Sequence, residues 1–276
     1  MEKVSSKFWK TSIIKVRPNS LIMRGYRIED LIGRLTYGEM VYLMIKGELP
    51  PKGTGKLMDA ILIAGCDHGA SSPAIAAARM AATCGVTLNC SIATGINMLG
   101  DIHGGAVEQA MKLYYKILDE TQENKESVEY VIDKQLKEFQ ENNWYVPGFG
   151  HGTHTKDPRS IRVFQLAEEV KQQGLISGNF LKIAKTVEVK LLERYKKLIA
   201  INIDGSIAAV ACELGFPWQV GKGLFCLSRI IGITAHAYEE SQSGYRIKTV
   251  MPPEMWEEEM EYDGPEERDL PPEYQN

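Results

Sequence analysis

The chain lacks what would tie it to a membrane or an oxidising compartment. None of its apolar runs reaches the length that spans a bilayer. The opening MEKVSSKFWK has no apolar stretch of a secretory leader, so a cytoplasmic protein is expected. Its five cysteines, Cys66, Cys84, Cys90, Cys212 and Cys226, are odd in number and form no C-x-x-C. Disulfides and thiolate zinc sites are therefore not expected, and the thiols are expected to be reduced and buried. Strand-like alternation is nearly absent beyond residues 13–28, which excludes an all-β or alternating α/β architecture. There is no internal repeat, no Gly/Ser linker and no concentrated basic stripe. A solenoid, a flexible tandem and a nucleic-acid binder are thereby excluded.

What is present is a set of helical patterns and an uneven charge. From Glu254 onward there are ten acids against one base, Arg268, which leaves 31 bases and 26 acids before it. A mildly basic body suits an anionic ligand. The acidic, Pro-containing tail from about residue 252 is expected to be extended. Thr36 with Glu39 makes a capping box, and the following run stops at Gly47 with Pro50 beyond, predicting a short helix. Helices are also predicted over 55–65, 73–84, from 106 onward, roughly 124–142, 179–197, 206–214 and 219–238. The stretch PAIAAARMAATCG, residues 73–85, is so rich in Ala that its neighbours must approach closely. The predicted fold is mostly α, with one small hairpin near the start.

Several polar residues then stand in places that need an account. His103, in DIHGGAVEQA, precedes a helix; beside its positive end an imidazole stays neutral and can donate to a carbonyl. A plain loop histidine is the other reading. Asp204, in AINIDGSIAAVACELGF, is flanked by apolar residues. Buried there it has a raised pKa and serves as a base, or it caps a helix starting near Ser206. Arg229 lies in an apolar helix and needs an anionic partner, either a ligand carboxylate or a structural acid. His68 opens a Gly/Ser/Pro turn and says little alone. In YVPGFGHGTHTKDPRS, residues 145–160, the Gly and Pro of Val146, Pro147, Gly148, Phe149 and Gly150 let backbone pack against a flat or phosphorylated ligand. His151 and His154 form H-x-x-H, which alone is no zinc set, so no metal is expected. Arg159, beside a rigid Asp-Pro turn, either grips a carboxylate with its fork or pairs with a neighbouring acid.

The order of these pieces is more specific than any one of them. RGYRIEDLIGRLTYGEMVYLMIKGELP (24–50), DHG (67–69), IHGGAVE (102–108), VPGFGH with DPR (146–159), INIDG (201–205) and LSRIIG (227–232) together resemble the citrate synthase superfamily. The likeness runs from about residue 8 to about 250. It implies a two-lobed helical fold, with a large domain from 1–105 and 214–276 and a small domain from 106–213. It also implies a homodimer with active sites between the lobes. The implied catalytic residues are His103 on the acetyl thioester oxygen, Asp204 on its methyl proton, and His151 beside the carbinol oxygen of the four-carbon acid. Carried over in the same way, His68, Arg159 and Arg229 hold substrate carboxylates, and residues 146–150 contact coenzyme A. A further Arg, expected from the partner subunit, corresponds to Arg246, which lacks the family's Arg-Pro context.

Only 17 residues separate Pro50 from His68. Citrate synthases carry a long helical segment there. The compact form resembles stand-alone citryl-CoA lyases and the citrate-synthase-like module of ATP-citrate lyase. The resemblance thus implies cleavage of citryl-CoA to acetyl-CoA and oxaloacetate, with coenzyme A as part of the substrate and no permanently bound cofactor. Condensation of an acyl-CoA with oxaloacetate, and a non-catalytic subunit binding CoA or an organic acid, stay open as alternatives. One departure stands out: many relatives carry Arg directly after the GFGH histidine, where this chain has Gly152.

Overall fold

A computed structural model describes residues 9–152, 154–249, 254, 267–269 and 271. The acidic tail expected from about residue 252 otherwise lies outside the described residues.

The chain opens with an antiparallel meander of β1 (Ile14–Arg17), β2 (Ser20–Met23) and β3 (Tyr26–Arg27), with Ile14 opposite Met23 and Ile22 opposite Arg27. This is one strand more than the predicted hairpin. The extra turn is made by Arg24 and Gly25 at φ of 48° and 92°. Among the described residues the α-helices that follow are α1 (Ile28–Leu31), α2 (Tyr37–Lys46), α3 (Gly55–Ala64), α4 (Pro73–Thr83), α5 (Leu88–Asn97), α6 (Ala106–Asn124), α7 (Val128–Glu141), α8 (Pro158–Gln172), α9 (Asn179–Tyr195), α10 (Ile203–Glu213) and α11 (Gly221–Gln242).

Local chemistry sets most of these ends. The Thr36/Glu39 capping box forms and Gly47 closes α2 in the left-handed conformation, as the sequence predicts. Asp157 caps α8 ahead of Pro158, and Ser127 caps α7. Glu213, at the end of α10, accepts the amides of Gly178, Phe180 and Leu181, and Ser177 Oγ accepts that of Asn179, which satisfies donors at the start of α9. Helix α5 has no counterpart in the sequence reading. LNCSIATGIN is poor in strong helix formers. It is held by packing: Gly95 sits on α4, where a Cβ would come within 2.7 Å of the Ala74 carbonyl. The Ala-rich face of α4 thus finds its close neighbour.

Helix α10 is the centre of the molecule. Nearly every residue from Ile203 to Cys212 is buried, and the helix packs on α3, α6, α8 and α9. Helix α11 lies across α3, α4, α5 and α6. Among the cysteines only Cys212 is buried; Cys84 and Cys90 are exposed and Cys66 and Cys226 half-buried, all five free thiols. The expectation of buried thiols fails because Cys84 ends α4 and Cys90 lies on the open side of α5.

One contact fixes how α10 meets the loop before α8. A Cβ on Gly205 would lie 2.3 Å from the Gly148 carbonyl oxygen. Gly205→Ala is therefore expected to lower stability by about 1–3 kcal/mol, seen as a drop of several degrees in thermal unfolding. Gly152→Ala, where a Cβ meets nothing within 4 Å, is the control and should leave the transition in place.

Candidate active site

The segment entering α10 is built by pairing. Phe149 and Ile201 form an antiparallel bridge, and the Gly150 amide donates to Ala200. Asn202 then caps the helix: its side-chain oxygen accepts the Gly205 amide at 3.1 Å, and its amide group donates to the Gly150 carbonyl at 2.8 Å. The helix thus begins at Ile203, not near Ser206, and Asp204 is not its cap. The Asn two residues ahead of Asp204 was the readable signal for this. Relieved of capping, Asp204 turns its carboxylate inward. Its Oδ1 is shut off from water and has no hydrogen-bond partner. Burial raises its pKa to about 6, against the pull of Arg229 and Arg159.

Arg229 is 3% exposed in the middle of α11. Its Nε donates to the Gly65 carbonyl at 2.8 Å, its Nη1 to Ser72 Oγ at 3.2 Å, and its guanidinium lies 4.9 Å from the centre of the Phe225 ring. Among the described residues no acid pairs with it, so the structural ion pair allowed by the sequence is not made. Its charge is held by dipoles and an aromatic face and is open to an anionic ligand.

Arg159 differs. It forks onto Asp157, Nε to Oδ1 at 3.0 Å and Nη2 to Oδ2 at 2.7 Å, and its Nη1 reaches the Asp67 carbonyl at 3.4 Å. Asp157 is itself buried, and these contacts hold its carboxyl below the ordinary carboxylate range although burial opposes them. The neighbouring-acid reading of Arg159 is therefore realised, yet the side chain still faces the cavity.

The histidines are set by backbone amides. The Ala74 amide, in the first turn of α4, donates to His103 Nε2 at 3.3 Å. His103, which precedes α6, thus also meets the first turn of α4. Burial lowers the His103 pKa, with help from Arg229 and His68. A neutral ring that accepts at Nε2 carries its proton on Nδ1. The His154 amide donates to His151 Nδ1 at 3.0 Å, which puts the proton of a neutral His151 on Nε2. His68 and His151 are likewise shifted down, chiefly by burial.

One cavity of about 210 Å³ is lined by His68, His103, His151, Arg159, Asp204 and Arg229, together with Ser72, Asn202 and Phe225. Six sequence-predicted site residues thus meet, drawn from α8, α10, α11 and the turns before α4, α6 and α8. Arg246 is exposed and does not line the cavity. Within 146–150, Gly148 and Phe149 are buried, and a Cβ on Gly148 would lie 2.6 Å from Gly205 Cα, so this glycine lets the loop pack on the start of α10. Pro147 instead lines a second groove of about 390 Å³ with Trp144, Tyr145, Lys112 and Lys116. Neither Lys was singled out by sequence, since both look like ordinary solvated residues of an amphipathic helix.

The chain belongs to the citrate synthase family. Residues 52–249 match the family described as citrate synthase, C-terminal domain. The solved structure of citryl-CoA lyase from Hydrogenobacter thermophilus overlays with a TM-score of 0.84 at 35% identity, covering 98% of this chain and 100% of that one. Citrate synthase from Thermoplasma acidophilum, solved with carboxymethyl coenzyme A and oxaloacetate, overlays at 0.69 and 25% identity over 86% of this chain and 59% of that one. ATP-citrate synthase beta chain protein 2 of Arabidopsis thaliana is 26% identical over 87% of this chain, which spans 38% of that protein's length. Among the described residues no helix is long and apolar enough to cross a membrane.

The raised pKa of Asp204 has a sign that can be checked. The folded protein holds this proton to about pH 6, whereas an ordinary carboxylate loses it near 3.8. Ionisation therefore works against folding, and the contribution lost grows as pH rises through that window. Asp204→Asn should gain stability relative to the parent between about pH 4 and pH 7, on the order of 2 kcal/mol, read from denaturant unfolding at each pH. A constant difference across that range would contradict the buried acid.

Proposed function

We propose that the chain is a citryl-CoA lyase, cleaving citryl-CoA to acetyl-CoA and oxaloacetate. The observation that carries this reading is the pairing, in one cavity, of an unpartnered buried acid with a neutral imidazole that has a proton to give. Cleavage of the carbon–carbon bond leaves a thioester enolate. Its oxygen needs a donor and its carbon needs a proton. His103, with Nε2 engaged by the Ala74 amide, offers Nδ1–H to the oxygen. Asp204, titrating near 6, delivers the proton to carbon. Arg229 and Arg159, with His68, bind the carboxylates of the organic acid.

His151 exchanges the proton of the carbinol oxygen. With the His154 amide on Nδ1, a neutral His151 is a donor at Nε2, the state suited to a bound ketone. To accept the carbinol proton on Nε2, the ring must carry its own proton on Nδ1, and the His154 amide contact must open. The groove beside Pro147 suits the rest of coenzyme A: Lys112 and Lys116 supply charge for phosphates, and Trp144 and Tyr145 supply flat faces for a base.

The end-to-end overlap with a citryl-CoA lyase supports the cleaving direction. The donor state of His151 supports the reverse, condensation of an acyl-CoA with oxaloacetate, as the second reading. The two-lobed division and a homodimer in which Arg246 reaches a neighbouring site are parts of the same proposal.

Incubation with citryl-CoA should yield acetyl-CoA and oxaloacetate by mass. Free citrate from acetyl-CoA plus oxaloacetate would favour the synthase instead. Asp204→Asn should lower kcat by about 10²–10⁴-fold with a much smaller change in KM, and unchanged turnover would overturn the assignment.

A further inference from the structure

Three of the five histidines converge where the proton chemistry uses only part of what they offer. The ring centres of His68 and His151 are 5.0 Å apart, those of His68 and His154 5.8 Å, and those of His151 and His154 4.6 Å. One nitrogen from each lies within 4.8 Å of the corresponding nitrogens of the other two. Around a tetrahedral zinc ion with ordinary zinc–nitrogen bonds, such nitrogens sit about 3.4 Å apart. Binding requires the rings to rotate and close the difference, and all three side chains are half-buried. His151 and His154 alone gave no ligand set. The third member comes from the turn after α3, 83 positions earlier.

The chemistry of the cluster narrows the ligand. Three imidazoles with no carboxylate or carbonyl among them suit zinc and its neighbours and not magnesium or calcium, which require oxygen. Arg159 stands nearby and repels a dication, but its charge is taken up by Asp157 at 2.7 Å.

We infer that His68, His151 and His154 form a site for a divalent transition-metal ion of the zinc class, and that occupancy switches the enzyme off. The switching half rests on the role proposed for His151; the binding half does not. A bound ion takes a lone pair of His151. On Nδ1 it displaces the His154 amide; on Nε2 it sends the ring proton to Nδ1, and the amide must turn away. Either way His151 no longer exchanges a proton with substrate. The segment that has to move contains Gly152, where a Cβ would meet nothing within 4 Å.

The test uses the full chain, stripped with a chelator. It is made in a Cys84→Ser/Cys90→Ser background, because those two thiols are exposed and bind metals themselves. Cobalt(II) alone is titrated in, the visible bands of low-coordinate cobalt are read, and zinc is added to compete. One cobalt per chain is expected, displaced by zinc and weakened at least about 10-fold by His154→Ala. His154→Gln should weaken it similarly, and circular dichroism checks that both variants are folded. No cobalt bound, or affinity unchanged in both variants, overturns the site. In the activity arm zinc should suppress citryl-CoA cleavage, with about 10-fold more needed in His154→Ala. Bound zinc that leaves turnover unchanged overturns the switch. A metal-free chain that binds cobalt at these histidines yet cleaves no citryl-CoA supports the site and counts against the proposed function.

Discussion

The structure depends on one unmade interaction: Asp204 and Arg229 face the same cavity, oppositely charged and deeply placed, and do not pair. Each is denied the partner that would ordinarily settle it. Asn202 takes the helix cap, so the Asp204 carboxylate is not consumed by backbone amides. Gly65, Ser72 and Phe225 hold the guanidinium by dipole and ring. The close seating of Gly205 on Gly148 fixes where the first turn of α10 lies, and with it the carboxylate. A direct ion pair would be more stable and chemically inert. Kept apart, the acid holds its proton to about pH 6 and the guanidinium retains an unmet demand for an anion.

The same separation explains why a cavity lined by two arginines also holds neutral histidines. Buried imidazoles beside guanidinium groups resist protonation, and each of His103 and His151 has one nitrogen fixed by a backbone amide. Position and tautomer are thus set by main chain, which does not titrate. In the proposed reaction the enolate oxygen meets a neutral donor, and the carbon meets an acid that titrates near pH 6.

Much of this was legible in the sequence, for definite reasons. The ends of α2 and most helix positions follow from caps, Gly and apolar periodicity, all of which are local. The six cavity residues could be named because their spaced motifs match a family, not because any one was informative alone. Non-local features stayed hidden. Helix α5 exists through the Gly95–Ala74 contact and not through propensity. The exposure of Cys90 depends on which side of α5 is covered, and that of Cys84 on its place at the end of α4. Sequence leaves Arg159 as either a clamp or a base paired with a neighbouring acid; the fold pairs it with Asp157 and leaves it lining the cavity. The meeting of His68 with His151 and His154 needed three-dimensional contact that no spacing could reveal.

The central claim is that this cavity makes and quenches the enolate of an acetyl thioester through Asp204. Deuterium entry into the methyl group of acetyl-CoA tests it without reference to net direction. With oxaloacetate present in D₂O, the parent chain should load deuterium at that carbon by mass spectrometry, and Asp204→Asn should not. Exchange that persists in the variant, or none in the parent, would contradict the account.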